Sequence, residues 1–396
     1  MIGAGIVGLS FAMQAVRDLP GLRLLILEKE EGVARHQSSH NSGVVHSGVY
    51  YQPGSLKAKL CVEGARAMAE FCHEHSIPYA RCGKLIVATR EQEVPRLDDL
   101  WQRGQANGLI GLRLLDPTEM KEIEPACRGL RALWVPATGI TDYAQVSAKY
   151  AELAMAQGST LVTGARVTGF RQDGSQVTVL TTRRNFATRA VVNCAGLYSD
   201  RIARLAGHQP DVLIVPFRGE YYDLIPERES LVRGLIYPVP DPRFPFLGVH
   251  LTRRVHGGVD AGPNAVFAFD REGYQRSDFN AQDVLESVGS AGFRRLALRN
   301  WRYGVGEFGR SLSKSAFLRS LQRLVPELKP ADLRPGGAGV RAQAIRPDGS
   351  LVDDFNFLPC GRFLHILNCP SPAATASLPI GREILNMARE VHILSR

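Results

Sequence analysis

The sequence predicts an α/β protein. A largely parallel sheet, wound in strand–helix–strand units, is interrupted by an α+β portion built on an antiparallel sheet. Three observations carry this. A glycine turn, Gly3-Ala4-Gly5-Ile6-Val7-Gly8, opens a helix at the very start. The apolar run from Leu22 ends in charge at Glu28, as buried parallel strands do. Strand and small-residue-turn segments then return at Val191–Gly196 and near the C-terminus, with strand-rich stretches between them.

Each element follows from its pattern. The helix after Gly8 reads to about Asp18. Only Met1 and Ile2 precede Gly3, where such a sheet needs its central strand, so that strand is expected to be short rather than absent. Ser55 is a plausible N-cap for the helix that follows it. CGKLIVAT, from Cys82, is a strand, and EVPRLDDLWQRGQANG is a helix. The segment from Thr160 to Thr182 reads as a hairpin with Asp173-Gly174 at its turn. Val212 to Leu285 is strand-like and rich in Pro and Gly, and two basic helices follow near 291–303 and 311–325. The expected division is discontinuous: 1–85, 140–212 and 335–396 form the nucleotide domain, and 86–139 and 213–334 the substrate domain.

Composition bounds the function. The chain has 396 residues, 44% of them hydrophobic, enough for a large core. No apolar run reaches the ~18 residues of a membrane span, and no secretory or transit pattern opens the sequence. Seven scattered cysteines read as reduced thiols of a cytoplasmic protein. The net charge of +9 fits nucleic acid, an anionic membrane or small acidic substrates. No aromatic and basic strand platform for nucleic acid is visible.

The glycine turn has a mechanism. Gly3 permits the tight turn, Gly5 lets backbone approach a pyrophosphate, and Gly8 lets helix and strand pack closely. The helix N-terminus presents free N–H groups to phosphate. Glu28, about 20 residues beyond Gly8, stands where an acid binds ribose hydroxyls. An NAD enzyme shows a compact dinucleotide domain and then a catalytic one. This chain instead keeps returning to the nucleotide domain, at Ala195-Gly196 and again at PSPAATASLPIG, which suits the long FAD molecule.

Several stretches share one resemblance. HQSSHNSGVVHSGVYYQPGSLKAKLC, CGKLIVAT, VVNCAGLYSDRIA, PFRGEYY, PFLGVHLT, GVRAQAIRPDGSLVDDF and NCPSPAATASLPIG run in order across nearly the whole chain. They resemble the L-2-hydroxyglutarate dehydrogenases (oxidases) of the FAD-dependent, D-amino-acid-oxidase-like superfamily. The chain departs from that pattern in having so few strand residues before Gly3. The resemblance implies a Rossmann-type FAD-binding domain of the D-amino-acid-oxidase/glutathione-reductase type with an inserted antiparallel substrate domain. It implies oxidation of L-2-hydroxyglutarate to 2-oxoglutarate, by hydride transfer from C2 to flavin N5.

It also implies roles for residues. Ser38, Ser39, His40, Asn41 and Ser42 meet the pyrophosphate and the flavin edge; His46 and Tyr50 face the substrate side. Val167, Ala195, Gly196, Ser371, Ala373, Ala374 and Thr375 complete the cofactor wall. A helix starting near Ala373-Ala374-Thr375 points its N-terminus at the flavin N1 and C2 carbonyl. His250 is the favoured general base and His46 the second candidate. Arg341, before a Pro-Asp-Gly turn, anchors the substrate carboxylate through its planar fork. A second carboxylate needs another contact, for which Arg218, Tyr222 and Lys57 are candidates. No cysteine stands beside Arg341, so FAD is expected to be non-covalent.

Rival readings are weaker. The His40 and His46 pair lacks a nearby carboxylate or third ligand, so no metal is expected. No GxSxG supports a serine nucleophile. His256 and His365 read as structural or exposed. An oxidase of another acidic substrate, an amino acid or glycerol 3-phosphate, is the alternative. Oxygen, a quinone or an electron-transfer protein stays open as acceptor. The last expectation concerns GFRRLALRNWRYG, with Phe293, Leu296, Ala297 and Trp301 on one stripe and arginines beside it. Leu312, Phe317, Leu321 and Leu324 repeat the pattern. Such helices suit an anionic membrane face, here the inner face of the cell membrane, unless both stripes face the protein's own core.

Overall fold

The computed structural model describes residues 1–241 and 248–394. Residues 245–247 of the PFLGVHLT motif therefore lie outside the described residues. Two sheet systems organise the chain.

The first is the nucleotide-type sheet. Leu25–Leu27 pairs in parallel with Thr160–Val162, and Val191–Asn193 pairs in parallel with Phe363–Asn368. Ile2 joins the two halves by parallel bridges to Leu27 and Asn193. Its N–H donates to the Val192 carbonyl at 2.9 Å, and the Cys194 N–H donates back to its carbonyl at 2.8 Å. The central strand thus exists with its pairing reduced to a single bridged residue. The helix Ile6–Asp18 follows it, and its inner face packs with helices Tyr143–Ala156 and Ser377–Glu390. The packing is close: a Cβ on Gly381 would stand 2.6 Å from Ser10 Oγ. Ser55 caps the helix Leu56–Glu74 by accepting from the Ala58 N–H.

The second is a nine-stranded, mostly antiparallel sheet. It includes Lys84–Ala88, Arg131–Val135, Leu213–Leu224, Leu235–Pro238, His250–Arg253, Val259–Gly262 and Leu333–Ile345. The strands Lys84–Ala88 and Leu333–Ile345 run across the boundaries expected from the sequence at 85 and 334, because each pairs along its length within this sheet.

The pairing register fixes which side chains share a face. Tyr222, Ala261, Leu251, Ile236 and Leu85 form one row across neighbouring strands. That row packs into an apolar core with Phe317, Leu321 and Leu324. The alternate row, on the opposite face, carries His250, Tyr237 and Ile86, with Lys84 two residues along.

The basic region forms three helices rather than two: Ala291–Arg299, Trp301–Leu312 and Lys314–Leu321. The run breaks at Asn300 and at Ser313; Ser290 and Ser313 cap the first and third helices through their side chains.

Candidate active site

One cavity of about 1040 Å³ runs from Gly3, Gly5 and Glu28 to His250, Tyr237 and Arg341. Its size lies at the top of the ~300–1,000 Å³ range of small-molecule sites.

The phosphate end is built from the glycine turn. Gly3 has φ +95°, and a Cβ there would meet the Cys194 carbonyl at 2.5 Å, so only glycine fits. A Cβ on Gly8 would stand 2.5 Å from the Gly3 carbonyl. Glu28 is held in place: its carboxylate accepts from the Ala4 N–H at 2.7 Å and the Glu30 N–H at 3.0 Å. Ser38 Oγ accepts from the Ile6 N–H at 2.9 Å, at the open start of the helix. Its first turn carries no acidic side chain, and its N-cap residue is Gly5. This donor-rich, acid-free turn beside a fixed carboxylate fits the pyrophosphate and ribose of FAD.

The middle of the cavity is lined by His40, Asn41, Ser42, Val167, Ala195 and Gly196. The segment around His40 presses against the strand Leu333–Ile345; a Cβ on Gly339 would meet the His40 carbonyl at 2.3 Å. His40 stacks on Tyr274 with ring centroids 4.1 Å apart. Ser39 does not line the cavity; its hydroxyl turns back to the His36 carbonyl in an exposed turn.

The C-terminal loop closes the far wall with Ser371, Ala373, Ala374 and Thr375. Regular helix starts only at Ser377, two residues beyond the expected start, because turns over 371–376 precede it. Thr375 is the anchor. Its hydroxyl accepts from the His46 N–H at 3.0 Å and pairs with the Tyr143 hydroxyl at 2.9 Å. The opening histidine-rich stretch and the C-terminal loop are thereby one unit.

At the substrate end, His250 stacks on Tyr237 at 3.7 Å, and its Nδ1 donates to the Gly248 carbonyl at 2.8 Å. A carbonyl can only accept, so Nδ1 carries the proton and Nε2 is left as an acceptor. Burial first, then Lys84 and Arg341, hold its pKa down at about 3. His46 is also held well below the ordinary value, by burial and then by Lys84, His250 and Lys57. Both imidazoles are neutral at pH 7. Arg341 lines the same cavity, on the strand opposite Phe217. Tyr50 and Lys57 also line it; Lys57 Nζ donates to Asp353 Oδ1 at 2.9 Å, so its charge is already partnered.

Two expectations fail here, for one reason. Arg218 and Tyr222 do not line the cavity. They point to the other face of the strand Leu213–Leu224, where Arg218 pairs with Glu220 at 3.0 Å and Tyr222 packs on Phe317. Of the residues between them, Gly219 and Tyr221 face the cavity. Burial pushes the Tyr221 phenol up to about 12. The strand's period of two put the sequence choice on the wrong parity.

The sequence reading also missed Tyr237 and Lys84. Lys84 is fully buried, 0% exposed, and among the described residues its ammonium has no hydrogen-bond partner. It lies 4.3 Å from the Tyr237 ring centroid and 5.0 Å from that of Tyr50. Burial lowers its pKa to about 7. The signal was present, since a lysine inside the apolar run KLIVA breaks a strand that is otherwise all core.

His365 is buried within the nucleotide sheet, bonded to Asn193 at 3.0 Å and His208 at 2.8 Å. His256 is exposed and pairs with Asp142 at 2.9 Å. Among the described residues, Glu30, His36 and Glu272 approach a metal-ligand grouping. The Lys29 ammonium already bonds to all three.

A glycine turn, a carboxylate fixed beside it, and a long cavity ending in a neutral histidine and an arginine fit a flavin-dependent oxidoreductase. The chain belongs to the FAD dependent oxidoreductase family, which it matches over residues 1–387. FAD is its cofactor. It is 48% identical over 389 residues to an L-2-hydroxyglutarate dehydrogenase of Indibacter alkaliphilus, covering 98% of each chain. It is 46% identical to the L-2-hydroxyglutarate dehydrogenase of Escherichia coli K12, covering 98% of this chain and 92% of that one. The human mitochondrial L-2-hydroxyglutarate dehydrogenase is also 46% identical, with 98% and 88% covered. Among solved structures, the dithionite-reduced L-α-glycerophosphate oxidase of Mycoplasma pneumoniae, with FAD bound, superposes with TM-score 0.79 at 23% identity, covering 97% and 93%. The glycine oxidase of Geobacillus kaustophilus gives 0.70 at 18%, covering 98% and 93%. These two establish the fold.

Proposed function

We propose that this chain oxidises L-2-hydroxyglutarate to 2-oxoglutarate. The observation that carries the reading is His250, fixed by Gly248 with Nε2 as acceptor, in one cavity with Arg341. Arg341 holds the carboxylate next to the reacting carbon by a two-point contact. His250 Nε2 takes the proton of the 2-hydroxyl. Bound FAD supplies the acceptor for the C2 hydride, held non-covalently by the glycine turn, Glu28 and the 371–375 loop. An anionic substrate raises the proton affinity of His250 over that in the empty cavity, by adding negative charge beside it. Tyr50, His46 and Tyr237 exclude water from that end.

The same chain carries an exposed apolar stripe that suits a membrane. Leu298, Trp301, Val305, Phe308 and Leu312 recur at spacings of three and four, and all are exposed. Arg299 and Arg302 are exposed beside them. It keeps Trp301 and Leu312 from the two stripes first expected but not the rest. Phe293 is tucked against Phe267, and Phe317, Leu321 and Leu324 are core residues. No helix among the described residues is long and apolar enough to cross a membrane. Docking by this stripe to anionic lipid brings the flavin's electrons to a quinone pool.

Turnover on a panel tests the activity: L-2-hydroxyglutarate, its D-enantiomer, L-lactate, L-glutamate and glycerol 3-phosphate. L-2-Hydroxyglutarate should have the highest kcat/KM. A higher value for glycerol 3-phosphate or an amino acid refutes the assignment.

A further inference from the structure

The cavity has a hidden charge that the reaction scheme leaves unused. Lys84 stands on the cavity face of the larger sheet, in the middle of its run of strands. Its side chain is wholly buried, and among the described residues its Nζ has no hydrogen-bond partner. The titratable groups close enough to affect it, or to be affected by it, are Cys61, Cys82, His46 and His250, together with the phenols of Tyr50 and Tyr237 at its two sides. None is a carboxylate. The nearby Lys57 has Asp353, and Arg218 has Glu220, but among the described residues no carboxylate answers Lys84.

A buried ammonium without a partner is costly, and proteins neutralise it or pair it. Two tyrosine faces offset part of that cost through cation–π attraction. The remainder calls for an anion on the cavity side. The Tyr50 hydroxyl and His46 Nδ1 are likewise buried without a partner, and both residues line the cavity. Two polar groups in this wall are thus unanswered, and Lys84 lies directly behind it, against the Tyr50 and Tyr237 rings. Arg341 serves the carboxylate beside the reacting carbon; of the three residues first expected to receive a second one, Arg218 and Tyr222 face away and Lys57 is bound to Asp353.

We propose that Lys84 is a specificity-determining positioning residue, whose charge, acting through Tyr50 and Tyr237, makes this wall select a substrate with a second carboxylate. The idea rests on the dicarboxylate reading of the site. Coulombic attraction across a poorly solvated gap of several ångströms suffices for large discrimination between a dianion and a monoanion.

Binding equilibria test it without turnover. Glutarate and butyrate differ by one carboxylate, and both perturb the absorbance of bound flavin. Their dissociation constants are to be measured on the FAD-loaded wild type, Lys84→Met and Lys84→Arg. The wild type should prefer glutarate. Lys84→Met should lose at least about tenfold of that preference, with butyrate affinity little changed. Lys84→Arg should retain part of the preference. Lys84→Met should melt no lower than the wild type, since an apolar isostere relieves a buried charge. An FAD-loaded Lys84→Met that keeps the full preference overturns the proposal, as does a wild type without one. A Lys84→Met that holds no FAD also overturns it, because Lys84 is then structural. If the wild type prefers glutarate but does not oxidise L-2-hydroxyglutarate, the activity reading fails and Lys84 keeps its role.

Discussion

Tyr237 and His250 lie face to face on neighbouring strands, with ring centroids 3.7 Å apart and planes 21° from parallel. The stack and the Gly248 carbonyl together fix the imbalance between the two imidazole nitrogens. His46 Nδ1, by contrast, is buried without a hydrogen-bond partner among the described residues. His250→Ala should therefore lower kcat by about 10²–10⁴-fold, the usual cost of losing a general base. His46→Ala should cost less. Rapid-reaction measurement of flavin reduction in both variants, each with FAD retained, ranks them; the reverse order transfers the role to His46.

Arg341→Lys keeps a charge and loses the planar fork. Loss of one charge-assisted contact costs about 1.5–3 kcal/mol, roughly 10- to 150-fold in kcat/KM. Steady-state kinetics on FAD-loaded protein gives the number. An unchanged kcat/KM removes Arg341 from carboxylate binding.

At the other end of the cavity, Glu28→Ala removes the acceptor of the Ala4 and Glu30 N–H groups, and with it the acceptor proposed for the ribose. FAD affinity should fall, and denaturation of the wild type should release free FAD. Equilibrium dialysis and the supernatant of acid-precipitated protein measure these. Flavin that remains in the pellet contradicts non-covalent binding.

Two buried histidines make stability depend on acid. Burial holds His250 at about 3 and His365 at about 4, against roughly 6.5 when unfolded. Below pH 6.5 the unfolded chain binds protons that the folded chain refuses, so stability present above that pH is lost as pH falls toward 4 and below. Tm should be level near pH 7–8 and drop between pH 6.5 and 4. Imidazole NMR titration of His365 separates its share: a titration midpoint near 6.5 in the folded protein contradicts the assignment.

The exposed stripe predicts sedimentation with anionic but not neutral vesicles, weakened by high salt. Trp301→Glu with Val305→Glu should abolish it. Protein that stays in the supernatant with anionic vesicles at low salt rules out docking and points to a soluble acceptor.

Much of this was legible in the sequence, because it rests on local rules. The glycine turn, Glu28 and the Ser55 cap depend on residues close in the chain, and the short first strand follows from the need for a sheet centre. Arg218 and Tyr222 show the limit. Both were chosen by residue type, but the facing parity of a long strand is set by partners far away in sequence. Tyr221, one position over, takes the place in the cavity wall. Lys84 escaped because its strand reads as core, and only the fold brings Tyr50, Tyr237 and His250 around it. The break at Asn300 hid the exposed stripe, since the spacing from Leu298 to Leu312 crosses two helices.

The most direct measurement is anaerobic titration of the purified, oxidised protein with L-2-hydroxyglutarate, followed by visible absorbance. The flavin bands should bleach with one equivalent of substrate per FAD, and 2-oxoglutarate should appear in the same amount. Bands that stay unbleached under excess L-2-hydroxyglutarate, in protein whose flavin dithionite still reduces, would contradict the central claim.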